Sequence, residues 1–562
     1  MRRSPILAAA LALALPLDPA PAAACGGFFC NNGLPVNQQA ERIVFAKEPD
    51  GAVTAVIQIS YEGPAERFAW LLPVAGAPDI AVSSNAAFDR LQQATNPRYT
   101  MTTEVVGRCE GDPVRDDLGL AIGAVDLGGT DLGRPASAPV TVIDEGSVGP
   151  YDVVLVRVDP GAEDRVEVAI AWLRDNGYDV PAVGAEVLRP YLEAEMNLLA
   201  FRLTKGNVTG AIRPVRLSFG RGLPSIPIRP TAVAAEPDMG VLVWVLGESR
   251  AVPSNYRSLE LNEAYLDWFR PATSYEAVVT RAANEAGGQG FVTEMSGPAR
   301  DLGEVIWPTV DATRWLRLRT NDWTGREGEL LAFVGPFLEL DGMREVLAAT
   351  LEPPEGVEMD DLLACVSCYF SRRDADVPGL EPTRFLEAIG TQVVAPLQEA
   401  KALFERAAVQ TRFYTTMSAG DMTVDPVFDF NADLGPVSNR HAARRVIECT
   451  PDVSRADAPW RVELASGDVV RGTGQAWPFD PARDGMPANA RVARLGASGE
   501  GDVVEDNAQE IRSALAAHNA TVPSALFRDS GACAAGPSGP AAGFGALALV
   551  FAALGLRRRR RL

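Results

Sequence analysis

Histidine is all but missing from this 562-residue chain, which carries it only at His441 and His518. Two imidazoles are too few for a histidine-rich metal centre. Lysine is nearly as scarce, standing only at positions 47, 205 and 401; such an arginine bias reads as a codon-composition effect before a functional one. A Gly-x-Ser-x-Gly nucleophile turn is lacking, because Gly496-Ala497-Ser498-Gly499 is followed by Glu500. The glycines of Gly287-Gly288-Gln289-Gly290 follow an expected helix and precede an expected strand. That is the reverse of a phosphate cradle, whose N–H groups open a helix. Positive charge is in deficit too. The formal net charge of −21 repels nucleic acid and anionic lipid. No internal repeat is found.

What is present is most informative at the two ends. Arg2 and Arg3 precede an apolar stretch over 6–15, and Ala22-Ala23-Ala24 supplies small residues for cleavage, the three-part pattern of a secretion signal at 1–24. The apolar stretch is too short to span a bilayer, and Pro16, Pro19 and Pro21 would break a buried helix. This implies export through the secretion machinery and a signal peptidase. Cleavage after Ala24 leaves Cys25 first. A lipoprotein reading is second to ordinary cleavage, because the bulky aliphatic residue usual three places before a lipidated cysteine is missing.

At the other end, a Gly/Ala/Pro-rich linker over 526–540 leads to an uncharged run over 541–556, then Arg557, Arg558, Arg559, Arg560 and Arg561 within a tip at 557–562. As a helix the run is about 24 Å long, against a hydrocarbon core of about 30 Å. Thinning and arginine snorkelling can absorb the mismatch, and the arginines fix the tip on the cytoplasmic side. Cys533 in Ser530-Gly531-Ala532-Cys533, the Gly/Ala-rich run and the arginine cluster together resemble the MYXO-CTERM sorting signals. The tail carries one cysteine where many such signals have Cys-Gly-Cys. The resemblance implies cutting by an intramembrane sorting peptidase, with Cys533 retained near the new terminus as a lipidation candidate. The expected address is therefore the cell envelope, reached by a membrane anchor through 541–556 or by sorting to the surface.

Setting aside 1–24 and 534–562, which carry seven arginines and one aspartate, the body reaches −27, a soluble surface that could hold divalent cations. Apart from Cys533 at the start of the tail, its six cysteines are Cys25, Cys30, Cys109, Cys365, Cys368 and Cys449. Export makes them disulfide candidates, with fifteen connectivities open. Cys365-Val-Ser-Cys368 invites a thiol–disulfide enzyme reading. The preceding Met359-Asp360-Asp361-Leu362-Leu363-Ala364, however, reads as an acidic helix running into the motif, where carboxylates raise a thiol pKa. A structural role is favoured.

Alternation predicts a strand over 52–61 and another over 42–46 across the turn at Glu48-Pro49-Asp50-Gly51. Further strands are expected at 68–72, 151–158, 199–203, 215–219 and 241–246, the last apolar enough for a sheet centre. Helices are expected at 85–94, through 166–173 up to Asn176-Gly177, and at 275–286. Later helices fall near 341–350, 358–370, 383–407 and 505–518, with a hairpin at Ser466-Gly467 and a long loop over 111–139. Strands and helices mix without regular βαβ alternation. The fold class expected is α+β, with mixed, mostly antiparallel sheets and packed helices in two subdomains, 25–300 and 301–525.

The body resembles the bacterial family catalogued as domain of unknown function 2330. The resemblance rests on Ala24-Cys25-Gly26-Gly27-Phe28-Phe29, Gln39-Ala40-Glu41-Arg42-Ile43-Val44-Phe45 and Tyr61-Glu62-Gly63-Pro64-Ala65-Glu66-Arg67-Phe68-Ala69-Trp70. It extends to Ala235-Glu236-Pro237-Asp238-Met239-Gly240 and Met422-Thr423-Val424-Asp425-Pro426-Val427-Phe428. It implies secretion, often a C-terminal anchor, and no assigned activity.

Three constellations remain. Asp425, Asp429, Asn431 and Asp433 are calcium candidates, the last three at alternate residues as in a calcium loop, but Leu434 and Arg440 stand where such a loop needs glycine and glutamate. Asx-turns are the competing reading. Trp244, Trp268, Trp307, Trp315 and Trp323 could line a glycan groove, although core packing is their usual task. Cys449 and His441 could pair as a nucleophile and base, although a disulfide is favoured for the cysteine. No catalytic residue is singled out and no cofactor is expected beyond the calcium candidates. The favoured function is a non-enzymatic envelope protein that binds or scaffolds; the alternative is a carboxylate-dependent hydrolase of cell-wall or polysaccharide material.

Overall fold

The computed structural model describes residues 37–62, 69–110, 141–176, 178, 184–203, 210–370 and 377–523. The expected signal at 1–24, Cys25, Cys30, the loop over 111–139, Cys533, the run over 541–556 and Arg557 to Arg561 lie outside them. Among the described residues no helix is long and apolar enough to cross a membrane.

The backbone of the fold is an eleven-stranded, mostly antiparallel sheet. Its centre is the strand Ala235–Gly247, paired in parallel with Asn37–Lys47 on one side and antiparallel with Val409–Met417 on the other. From Asn37–Lys47 the sheet continues through Ala52–Glu62, Val215–Arg221 and Asp79–Val82. From Val409–Met417 it continues through Gly290–Pro298, Arg257–Leu261, Asn489–Arg494 and Asp502–Asp506. A continuous apolar run belongs where both faces of a strand are covered. Val241, Leu242, Val243, Trp244, Val245 and Leu246 are accordingly all buried. At roughly 1.5–3 kcal/mol per buried side chain, that run alone contributes on the order of 10 kcal/mol of gross stabilisation.

Side chains alternate across a strand, so the sheet feeds two cores. On one face Ile43, Phe45, Ala55, Ile57, Val243 and Val245 meet Trp70, Leu72, Tyr151 and Phe201 of a smaller sheet. This sheet is ordered Ala69–Val74, Asn197–Leu203, Tyr151–Arg157, Thr141–Val148, and its far side is covered by the helices Arg165–Asp175 and Gly184–Glu193. On the other face Val44, Val56, Leu242, Trp244 and Leu246 meet a helical layer that includes Asn85–Thr95, Arg300–Ile306 and Ala395–Arg406. A third sheet joins Arg98–Gly107 in parallel to Arg440–Cys449, followed by Pro459–Leu464 and Val469–Thr473. The Cys109–Cys449 disulfide bonds residues 340 apart at its end, with both cysteines buried.

The mixed α+β reading holds at this level. The boundary expected at 300 falls inside one continuous sheet, because Val409–Met417 lies between Gly290–Pro298 and Ala235–Gly247. The helix expected over 358–370 is two pieces, Met359–Ala364 and Val366–Tyr369, broken at Cys365 (φ −151°, ψ 76°). That corrects the view of an uninterrupted acidic helix, and the break is where Cys365 turns to meet Cys368 in a second disulfide.

Candidate functional site

Two hollows stand out. The larger is a polar cleft of about 980 Å³ whose walls carry Tyr99, Glu263, Tyr275, Glu294 and His441, with Arg250, Asp433 and Arg512 further out. The smaller, about 560 Å³, is mainly apolar and lies between the main and small sheets, with Ile43, Phe45, Ile57 and Leu72 as walls and Tyr191 and Asp425 at one side.

The cleft is built at the meeting of the main sheet and the third sheet. Glu294 comes from Gly290–Pro298 at a bulge, where Thr293 pairs with Phe413 but Met295 pairs with Arg412, so that Glu294 is the extra residue. A bulge re-aims one side chain against the pleat. Here it sends a carboxylate inward, where it is buried with Arg412. Glu294 Oε2 and Arg412 Nε lie 2.5 Å apart, and Tyr275 Oη donates to Glu294 Oε1 at 2.5 Å.

Arg412 donates in turn to Thr95 Oγ1 and Asn96 Oδ1, each at 2.8 Å, and sits over the Trp244 ring. Trp244 Nε1 donates to the same Thr95 hydroxyl at 3.1 Å. The cluster therefore ties the C-terminal end of Asn85–Thr95 to the sheet centre. Burial pushes the Glu294 carboxyl above its ordinary range, against the opposing pull of Arg412 and the Tyr275 hydroxyl. Burial, with Glu294 beside it, pushes the Tyr275 phenol up.

Beside this pair stands a second. His441 lies directly across the parallel ladder from Tyr99, the two rings stack at 4.5 Å, and Trp268 meets Tyr99 edge-on at 5.3 Å. His441 Nδ1 and Glu263 Oε1 lie 2.5 Å apart. Glu263 opens a 3₁₀ turn whose start is capped by Asn262, which accepts from Ala264 N. The Tyr99 phenol is pushed up by burial and by the neighbouring Glu263 and Glu294. Among the described residues no serine, threonine or cysteine donates to the His441 ring, Thr100 Oγ1 donating only to the His441 backbone carbonyl, and Cys449 is bonded to Cys109. The Cys449–His441 nucleophilic pair is thereby excluded, because the sulfur is spent in a disulfide.

The calcium candidates do not converge. Asp425 Oδ1 accepts from Tyr191 Oη at 2.8 Å and from Ile228 N at 3.0 Å beside the apolar hollow, where burial raises its pKa. Asp429 Oδ1 accepts from Phe430 N at 2.8 Å. Asn431 donates to the Gly496 and Gly499 carbonyls, and Asp433 Oδ2 accepts from Gly499 N at 2.7 Å. These are loop-fixing bonds of the kind Asx residues make. Among the described residues no group of three or more His, Cys, Asp or Glu could hold a metal ion. The five tryptophans are buried in the cores, which removes the glycan groove, since a ring must be exposed to stack on a sugar. Cys365 and Cys368 bond to each other at a Cα separation of 5.3 Å.

Sequence reasoning passed over Glu263, Glu294, Arg412 and Tyr99. One signal was available: a lone acid in Phe291-Val292-Thr293-Glu294-Met295 and a lone base in Thr411-Arg412-Phe413 each interrupt an apolar strand, and a buried charge needs an opposite partner.

Comparison with known proteins finds a family model described as "Uncharacterized protein conserved in bacteria (DUF2330)", matching residues 19–303. No curated protein and no solved structure matches the chain.

Proposed function

We propose, from the premise that this chain belongs to the bacterial DUF2330 family, that it is an exported envelope protein whose polar cleft binds a ligand without transforming it. One observation carries the reading: each inner carboxylate of the cleft already has a dedicated partner, Arg412 and Tyr275 for Glu294 and His441 for Glu263. Groups so paired hold a wall's shape and polarity, and among the described residues no serine, threonine or cysteine donates to the His441 ring as a nucleophile that it would activate. The remaining lining mixes Tyr99, Asp433, Arg250 and Arg512, which suits a hydroxyl-rich ligand taking several hydrogen bonds.

Export is supported by the three-part N-terminus and by two disulfides. Retention at the envelope is assigned to the run over 541–556 with Arg557 to Arg561. That run either serves as an anchor or is removed by a sorting peptidase that leaves Cys533. Mass spectrometry of the mature protein from its own cells would read both cut sites, and a chain that retains residues 1–24 would refute export.

A hydrolase is the second reading, favoured by the raised carboxyl of Glu294 sharing a cleft with Glu263. Peptidoglycan fragments and oligosaccharides are incubated with the full protein, and binding and products are followed together. Saturable binding with unchanged ligand supports the first reading. Turnover lost in both Glu263→Gln and Glu294→Gln would overturn it in favour of the second.

A further inference from the structure

The two disulfides among the described residues sit in opposite environments. Cys109 and Cys449 are buried within the third sheet's core. Cys368, by contrast, is exposed and Cys365 half-buried, on a short turn held to the helical layer by Leu362, Val366 and Phe370. The break at Cys365 lets both sulfurs of Cys365-Val366-Ser367-Cys368 meet within one turn, and the Ser367 hydroxyl lies 3.7 Å from Cys365 Sγ. A structural cross-link between residues three apart closes almost no loop, so it removes little entropy from the unfolded chain. Stability is a poor reason for this bond, and it faces solvent, where a thiolate can reach it.

We propose that Cys365 and Cys368 form an exchangeable dithiol–disulfide pair, taking two electrons from a dithiol protein of the same compartment or returning them to its disulfide form. The partner's thiolate attacks the exposed Cys368 Sγ. A mixed disulfide forms, the Cys368–Cys365 bond breaks, and Cys365 leaves as a thiolate that accepts a hydrogen bond from Ser367 Oγ. The partner's second thiol, losing its proton to solvent, then attacks its own sulfur in the mixed disulfide and releases Cys368. The partner ends as a disulfide, two electrons have entered this chain, and protons from water complete the two thiols. Glu358 and Asp361 stand exposed just before the motif, with Asp360 paired to Arg344, so a partner with a basic rim around its thiol is favoured. This activity is independent of the polar cleft.

The test uses the full chain with dithiothreitol under native conditions, quenched with maleimide and read by peptide mass spectrometry. Cys365 and Cys368 should be alkylated roughly a hundredfold faster than Cys109 and Cys449, without loss of circular dichroism, and oxidised glutathione should restore the bond. Ser367→Ala should slow opening about fivefold, the worth of one hydrogen bond, and Ser367→Thr should recover the rate. At low salt, cysteamine should open the bond faster per thiolate than mercaptoacetate, an advantage that shrinks as salt is added. The proposal is overturned if the bond opens only with global unfolding, fails to re-form, or opens at the same rate in Ser367→Ala. The reverse thiol preference would overturn the basic partner.

Discussion

Replacing both Cys109 and Cys449 with alanine removes a cross-link between residues 340 apart, and its effect can be worked from that separation. In the chain-entropy model, closing a loop of this length restrains the unfolded chain by about 6 kcal/mol at 25 °C. Measured disulfides deliver less when the open chain keeps residual structure. The parallel pairing of Arg98–Gly107 with Arg440–Cys449 remains available to the variant, so a loss of about 3–5 kcal/mol is expected. Both side chains are buried, which makes alanine preferable to serine, whose hydroxyl would be left without water. Urea unfolding followed by tryptophan fluorescence measures the loss, with Trp460 of the same core among the reporters. The slope against urea should steepen, because an uncrosslinked chain exposes more surface. Wild type with this bond reduced should match the variant. A loss below about 1 kcal/mol would refute the reasoning, since it would mean that the bond restrains nothing the ladder does not already hold.

Three further outcomes follow. Glu294→Gln strands the buried Arg412 guanidinium and should cost about 3–5 kcal/mol; an unchanged urea midpoint would contradict the ion pair at the sheet centre. Gly107→Ala should destabilise by about 2–4 kcal/mol, because Gly107 has φ +85° and a Cβ there would lie 2.2 Å from the Cys449 carbonyl oxygen; thermal melting reads this directly. Asp425 has a pKa raised above its ordinary 3.8, so its contribution is complete below 3.8 and is lost as pH rises through the folded value. Asp425→Asn can keep the bonds from Tyr191 and Ile228, and it should lack that loss in a pH series of unfolding curves; an unaltered pH profile would sink the assignment.

Much of the fold was legible because its strands advertise themselves locally. The alternation over 52–61 and the apolar run over 241–246 correspond to Ala52–Glu62 and Ala235–Gly247, and both strands are buried on both faces, feeding the two cores. Helix ends at Asn176 and at Gly287-Gly288 also carry their own signals. The cleft was not legible, for a physical reason. Glu294 owes its direction to a bulge, which depends on the partner strand, and Arg412 and His441 arrive from more than a hundred residues away. Nothing in a local window records such a meeting. The tryptophans illustrate a different limit: a ring's hydrophobicity is the same in a core and in a groove. At Cys365 the acidic helix pattern was read through a break that only the backbone angles reveal.

The place of Val409–Met417 between Gly290–Pro298 and Ala235–Gly247 also constrains how the molecule comes into being. During synthesis the first three hundred residues can form two partial sheets, each with a bare inner edge, but cannot join them. The keystone strand emerges more than a hundred residues later. Until it arrives, those edges are open templates for pairing with other chains. A chain that folds only once complete meets this problem once, when every strand is at hand. A fragment stopped near residue 303 would meet it permanently, and aggregation is the behaviour to expect of it.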